Sequence, residues 1–163
     1  MRSLYAYRFE TNWKIEADIR QAWSLISGGD YGSWWPGVSS MLIHMSSSLS
    51  GVGNRYRFVF HTRLPYKLEF DAELMAAREP EYIRIRATGD LEGFGVWTLK
   101  QEGSVAHVRY VWRVNANKRW MNALAPLIRP AFVWNHDQVM REGAKGLSNA
   151  LGAPLVSCKS KAG

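Results

Sequence analysis

Residues 66–74, YKLEFDAEL, decide the fold of this 163-residue chain. Apolar and charged side chains alternate along the stretch, and successive side chains of a β-strand point to opposite faces of a sheet. One face is therefore apolar, while the other carries Lys67, Glu69, Asp71 and Glu73. This pattern is typical of an antiparallel sheet with one buried and one solvated face. The three carboxylates are predicted to face solvent rather than to form a catalytic pair.

Turn residues divide the flanking sequence into further segments of the same kind. Gly51–Asn54, Leu64-Pro65 and Glu79-Pro80 each separate two such segments. No helical pattern interrupts residues 38–115, so the segments predict consecutive antiparallel strands. The seven predicted strands span residues 5–15, 38–47, 55–62, 66–78, 82–88, 93–101 and 106–115.

The strand phases predict which side chains face the interior. Arg84 and Arg86 alternate with apolar residues and are expected to pair with the carboxylates of the neighbouring strand on the wet face. The strand at 38–47 has two possible phases, one with Ile43 inward and the other with Leu42 and His44 inward.

Helical spacing appears at both ends of this strand-rich region. Asp18 begins a short helix through Ile26, and a second helical turn follows Asp30. A long helix is predicted over residues 118–151, broken or kinked near Pro126 and Pro130. Residues 1–153 are predicted to form one α+β domain, and residues 154–163 a flexible tail.

Composition and charge favour some classes of protein over others. The net charge is +7, but the basic residues of the C-terminal segment are scattered, which disfavours a nucleic-acid or membrane-surface binder. No apolar run reaches the length of a membrane span and the N-terminus has no signal-peptide core, so a cytoplasmic protein is expected. Cys158 is the only cysteine, and no metal-binding or phosphate-loop motif occurs, so no cofactor or metal is expected.

Several short motifs occur along the chain in an order that is found in one known superfamily. They are YRFET at 7–11, WWPGV at 34–38, GVG at 51–53, RLPY at 63–66, GDLEGFGVWTL at 89–99 and WNHDQVM at 134–140 with Gly143 and Gly146-Leu147. Over about residues 5–153 the chain resembles the START-like (SRPBCC) superfamily, which includes polyketide cyclase/dehydrases, lipid-transport proteins and birch-pollen-allergen proteins. Within this superfamily, the chain is similar to bacterial members of the polyketide cyclase-like branch.

The resemblance implies a helix-grip fold, in which a curved antiparallel sheet wraps around a long C-terminal helix and two short helices follow the first strand. It also implies a cavity for hydrophobic or amphipathic ligands, but no single reaction. Combined with the strand phases, it predicts that the cavity is lined by Tyr56, Phe58, Phe60, Tyr66, Leu68, Phe70, Ile83, Ile85, Trp97, Tyr110, Trp112, Phe132, His136 and Met140.

Trp34 and Trp35 are predicted to lie at the cavity entrance, where they would gate it or touch a membrane transiently. The alternative is that they plug the end of the sheet.

His136 is the candidate catalytic residue, because Phe132 and Met140 stand four residues to either side of it on one helix face. A neutral imidazole beside Tyr56 or Tyr110 is suited to acid–base catalysis. The structural alternative is a histidine that bonds a backbone carbonyl or a tyrosine hydroxyl, and Asn135 is expected to lie off the cavity face.

Two functions follow. The favoured one is binding or transport of a hydrophobic, lipid- or polyketide-like small molecule by a monomer or homodimer. The other is a cofactor-independent polyketide cyclase or dehydratase that uses His136 and a cavity tyrosine.

Overall fold

The structure, a computed structural model, describes residues 6–163. Six strands follow one another without an intervening helix, as the sequence predicts. The elements are β1 (Ala6–Ile15), α1 (Ile19–Ser27), a 3₁₀ turn (Tyr31–Ser33), β2 (Val38–His44), β3 (Arg55–His61), β4 (Lys67–Arg78), β5 (Tyr82–Gly89), β6 (Leu91–Glu102), β7 (Val105–Ala116), α2 (Arg119–Ala123), α3 (Ala125–Leu151) and β8 (Leu155–Ala162). The predicted start of the first strand, Tyr5, lies outside the described residues.

One antiparallel sheet of eight strands contains all of these strands, in the order β2-β3-β4-β5-β6-β7-β1-β8. The six consecutive strands β2 to β7 form the predicted meander, and β1 closes against β7. The α+β class and the long C-terminal helix are confirmed.

The alternation in residues 66–74 has the predicted consequence for burial. Leu68, Phe70 and Ala72 are buried, whereas the carboxylates between them lie on the opposite face. Asp71 accepts from Arg57 Nε at 2.8 Å, and Glu73 accepts from Arg86 at 2.7 Å. Arg84 differs from the prediction, because its guanidinium lies over the Phe94 ring, 4.6 Å from the centroid.

The predicted flexible tail is wrong for residues 155–162, which form β8 along β1. β1 would otherwise be an edge strand with unpaired backbone groups, and pairing satisfies them. Gly152 ends α3 in the left-handed conformation, with φ of 61°, and so turns the chain back towards the sheet. The local alternation of β8 is weak, so its strand character comes from β1.

The predicted break in the long helix occurs near Pro126, whereas the helix continues without a break through Pro130. The break falls at Leu124, between α2 and α3, and Pro126 occupies the first turn of α3, where a missing amide hydrogen costs little. Pro130 lies inside α3, which continues past it. The predicted break at Pro130 is therefore wrong, although a proline inside a helix removes one of its hydrogen bonds.

The segment after the 3₁₀ turn packs tightly against α3. A Cβ at Gly143 would lie 2.5 Å from Cε2 of the Trp35 indole, and a Cβ at Gly146 would overlap the carbonyl oxygen of Trp34. Trp35 Nε1 donates to the carbonyl of Val139 at 3.0 Å. These contacts hold α3 over the inner face of the sheet.

Candidate functional site

An inner cavity of about 90 Å³ lies between the sheet and α3. Most of its walls are the apolar side chains that the strand phases predict. Eleven predicted residues line it: Phe58, Phe60, Leu68, Phe70, Ile85, Trp97, Tyr110, Trp112, Phe132, His136 and Met140. Seven further residues of the described chain also line it: Phe9, Tyr31, Trp35, Thr62, Leu91, Asn135 and Val139.

A second, outer cavity of about 380 Å³ lies beside α1 and the β2–β3 loop. Tyr56 and Ile83 line this outer cavity and not the inner one. The two cavities share four wall residues: Tyr31, Phe58, Ile85 and Trp97. The predicted single interior is thus two compartments with a common wall.

This division separates the predicted catalytic tyrosines. Tyr110 and His136 line the inner cavity, whereas Tyr56 lines only the outer one. The predicted pairing of His136 with Tyr56 therefore has no support in this arrangement. Tyr66 lines neither cavity, because its ring packs edge-on against Trp120 of α2 at 5.3 Å between centroids.

Trp34 and Trp35 are buried, which argues against the predicted contact with a membrane, and their role as a gate stays a prediction. Their residues are only 6% and 3% exposed, because α3 covers them through its glycines. Trp35 forms part of the inner cavity wall, and its ring lies edge-on to Trp13 and Phe60. The alternative, in which the pair plugs the end of the sheet, agrees with this burial.

His136 is mostly buried, and its ring stacks on Phe9, 3.7 Å between centroids. Its Nδ1 lies 3.5 Å from Asp137 Oδ1, and neither ring nitrogen has a hydrogen-bond partner within residues 6–163. No described backbone carbonyl or tyrosine hydroxyl fills that role, in contrast to the structural alternative. Burial lowers the pKa of His136, and the Asp137 carboxylate opposes this effect only in part. The imidazole is therefore neutral at pH 7.

Asn135 lines the inner cavity and is only 3% exposed, so the prediction that it lies off the cavity face is wrong. Its carbonyl oxygen is buried and has no hydrogen-bond partner in the described part of the chain. The helical spacing does predict this position, because Asn135 stands three residues after Phe132 and four before Val139. All three side chains line the same cavity.

Two tyrosines contribute hydroxyl groups to the walls. Tyr110 stacks on Trp97 at 4.1 Å between centroids, and its hydroxyl lies over Gly95, where an added Cβ would approach it to 2.5 Å. Tyr31, which lies in the 3₁₀ turn and so outside the strand phases, donates to the carbonyl of Ile26 at 2.5 Å. Burial raises the pKa of both hydroxyls, so both are protonated at neutral pH.

Comparisons with known proteins identify the architecture. No protein-family model matches the chain, and no curated protein matches its sequence. A START superfamily protein from Mycobacterium smegmatis superposes with a TM-score of 0.71 at 12% identity, covering 90% of this chain and 97% of the other. The Zhui aromatase/cyclase from Streptomyces sp. R1128 superposes with a TM-score of 0.71 at 9% identity, covering 90% and 94%.

The chain has the START-superfamily fold. A di-domain aromatase/cyclase, BexL of the BE-7585A biosynthetic pathway, also superposes, with a TM-score of 0.69 and 13% identity over 93% of this chain and 52% of that one. These identities establish the architecture alone, because one fold supports many activities.

Within this START fold, the chemistry available is that of neutral polar groups in an apolar environment. Among residues 6–163, no three His, Cys, Asp or Glu side chains converge in a way that would hold a metal ion. No helix in the described part of the chain is both long and apolar enough to cross a membrane. The inner cavity offers a neutral imidazole, a carboxamide and tyrosine hydroxyls, which can orient a ligand or exchange a proton with it.

Proposed function

We propose that this chain binds or transports a hydrophobic or amphipathic small molecule, lipid- or polyketide-like, in its two adjoining cavities. The observation that carries the proposal is the apolar inner cavity with two hydrogen-bonding side chains, Asn135 and His136, whose buried polar atoms have no partner among the described residues. Ligand pockets combine such apolar walls with a few convergent polar groups. The fold shared with START and aromatase/cyclase structures supports the same function.

The cavity volumes indicate how a ligand would be distributed. An apolar cavity of about 150 Å³ accommodates benzene, so the inner cavity of about 90 Å³ holds only a small group. The outer cavity, at about 380 Å³, is large enough for the body of the ligand. Its lining joins apolar side chains such as Ile83 to polar ones such as Asn54 and Glu79, which suits an amphipathic molecule.

The first experiment combines native mass spectrometry of the purified protein with titration of Nile red, an uncharged dye that fluoresces in apolar sites. Ile85 lines both cavities, so Ile85→Trp is expected to fill the shared wall and weaken dye binding about tenfold or more. Arg84→Trp is the matched control, because Arg84 is exposed on the adjacent position of the same strand. It should leave binding unchanged.

Two results would overturn the binding proposal. One is a wild-type protein that carries no bound molecule and does not bind the dye. The other is dye binding that Arg84→Trp weakens as much as Ile85→Trp does, because the dye would then occupy the outside of the sheet.

A cofactor-independent cyclase or dehydratase is the second candidate, favoured by the neutral His136 and the Tyr110 hydroxyl in one cavity. His136 would accept a proton from a carbon acid of the substrate and return it to a departing hydroxyl. With the molecule extracted from the purified protein as substrate, His136→Ala should keep binding and abolish turnover. Absence of turnover by the wild-type protein would support the carrier and reject the enzyme.

A further inference from the structure

We infer that the inner cavity recognises one uncharged hydrogen-bonding group, such as a hydroxyl, at the end of a ligand whose apolar body occupies the outer cavity. This inference rests on the proposed binding function and specifies the class of ligand. Its basis is a set of three buried atoms, Asn135 Oδ1, His136 Nδ1 and His136 Nε2, that have no hydrogen-bond partner in the described chain.

Unpaired polar atoms are uncommon inside proteins, because each loses its bonds to water on burial. Here they belong to consecutive residues of α3 that both line the inner cavity. Asn135 is 3% exposed, and the ring of His136 is held against Phe9. The two side chains are thus ordered by packing, and apart from the 3.5 Å approach of His136 Nδ1 to Asp137 Oδ1 their hydrogen-bonding capacity remains for a guest molecule.

The donors and acceptors suit a hydroxyl group. The Asn135 carbonyl oxygen accepts a hydrogen bond, and a neutral imidazole provides one N–H donor and one acceptor nitrogen. A hydroxyl can donate to Asn135 and accept from His136 at the same time. A methyl group of the same size would leave all three atoms unpaired.

A charged group does not suit the inner cavity. The described residues that line it include no Lys, Arg, Asp or Glu. Burial also keeps His136 neutral, so a carboxylate would lose its hydration without gaining an ion pair. Glu79 lines the outer cavity and would further repel an anion. The expected ligand is an uncharged amphipathic molecule rather than a fatty acid anion.

The shared wall determines how the end of a ligand reaches this site. Phe58, Trp97, Tyr31 and Ile85 separate the two cavities. Tyr31 is tied to Ile26 by its hydroxyl, whereas Ile85 is a partly exposed aliphatic side chain that can change rotamer. We therefore expect a small terminal group to pass from the outer to the inner cavity when Ile85 changes rotamer.

The test uses three naphthalene probes that differ at one position. 2-Naphthol and 2-methylnaphthalene have the same shape, but only the first has a hydroxyl, and 2-naphthoate is anionic at pH 7.5. Displacement of Nile red measures the affinity of each probe. The wild-type protein should prefer 2-naphthol over 2-methylnaphthalene by about tenfold, because only the hydroxyl can pair two of the three buried atoms. It should bind 2-naphthoate most weakly.

Substitutions in α3 test whether the preference for 2-naphthol over 2-methylnaphthalene comes from Asn135 and His136. Asn135→Leu and His136→Phe should each reduce it at least threefold while 2-methylnaphthalene binds as before. Gln138→Leu is the control, since Gln138 belongs to α3 but lines neither cavity. Asn135→Leu should also unfold at a higher urea concentration than the wild type, because it removes an unpaired buried oxygen. This measurement shows that the variant is folded.

The outcomes separate this inference from the proposed function. Equal affinity of the wild type for 2-naphthol and 2-methylnaphthalene would overturn the inference while leaving ligand binding intact. An unchanged preference in both α3 variants, or tightest binding of 2-naphthoate, would overturn it as well. Failure of all three probes and of Nile red to bind the wild type would overturn both proposals.

Discussion

The protonation of His136 is coupled to folding through its burial. In the folded chain the ring stacks on Phe9 in an apolar cavity, and among residues 6–163 the charged group beside it is the Asp137 carboxylate, 3.5 Å away. Burial is the larger effect and lowers the pKa of His136 below its ordinary value of 6.5. The unfolded chain therefore takes up this proton before the folded chain does as the pH falls.

The first prediction concerns stability against pH. Because the folded pKa is lowered, the free energy of unfolding should fall as the pH is reduced from about 6.5 towards that pKa, by at most about 1.4 kcal/mol per pH unit from this residue. His136→Phe keeps an aromatic ring against Phe9 but cannot titrate. Urea unfolding at pH 7.5 and 5.5 should show a smaller loss in His136→Phe than in the wild type. Equal losses would show that His136 does not titrate differently on folding.

At the scale of elements, β8 is held to β1 by its backbone and by side chains on both faces. Lys161 lies 3.7 Å from the Glu10 carboxylate, and Thr11 and Ser160 share a hydrogen bond of 3.0 Å. Arg109 also bonds Glu10, and this bond is the main reason that the pKa of Glu10 is lowered to about 2. Cys158 lies opposite Trp13 and is partly buried.

The second prediction is that the thiol of Cys158 reacts slowly in the folded protein. Burial raises its pKa, and the thiolate is the reactive form. Modification by a disulfide reagent at pH 7.5 should be on the order of tenfold slower than in the urea-unfolded chain, which is the control. A native rate equal to the unfolded rate would mean that residues 155–162 are a mobile tail after all.

At the scale of the whole molecule, the glycines of α3 set how closely the helix approaches the segment that carries Trp34 and Trp35. Gly146 leaves no room for a Cβ against the Trp34 backbone. This approach positions Trp35 in the wall of the inner cavity. Helix packing and cavity shape therefore depend on the same contact.

The third prediction is that Gly146→Ala destabilises the fold, although alanine is the better helix former by about 1 kcal/mol. Displacement of the Trp34 backbone should cost about 1–3 kcal/mol after that gain, and Nile red binding should weaken. Asn149→Ala, at an exposed position of α3, is the control and should stabilise slightly. A more stable Gly146→Ala would show that the helix can move away from this segment without cost.

The sequence by itself determined seven of the eight strands, most of their inward faces and the long helix, because these depend on local periodicity. Phe58 and Trp112 follow from a period of two, and Phe132 and Met140 from helical spacing. For the same reason the apolar walls of the inner cavity were predictable. Asn135 was predictable too, since its spacing from Phe132 places it on the same helix face.

Only the tertiary structure decided how those faces meet. The strand character of β8 depends on the free edge of β1, and the burial of Trp34 depends on a distant glycine in α3. The wall that places Tyr56 and Tyr110 in different cavities is built from residues of the 3₁₀ turn, β3, β5 and β6. Periodicity specifies the direction of a side chain from its own element, but partners far apart in the chain specify what the side chain meets.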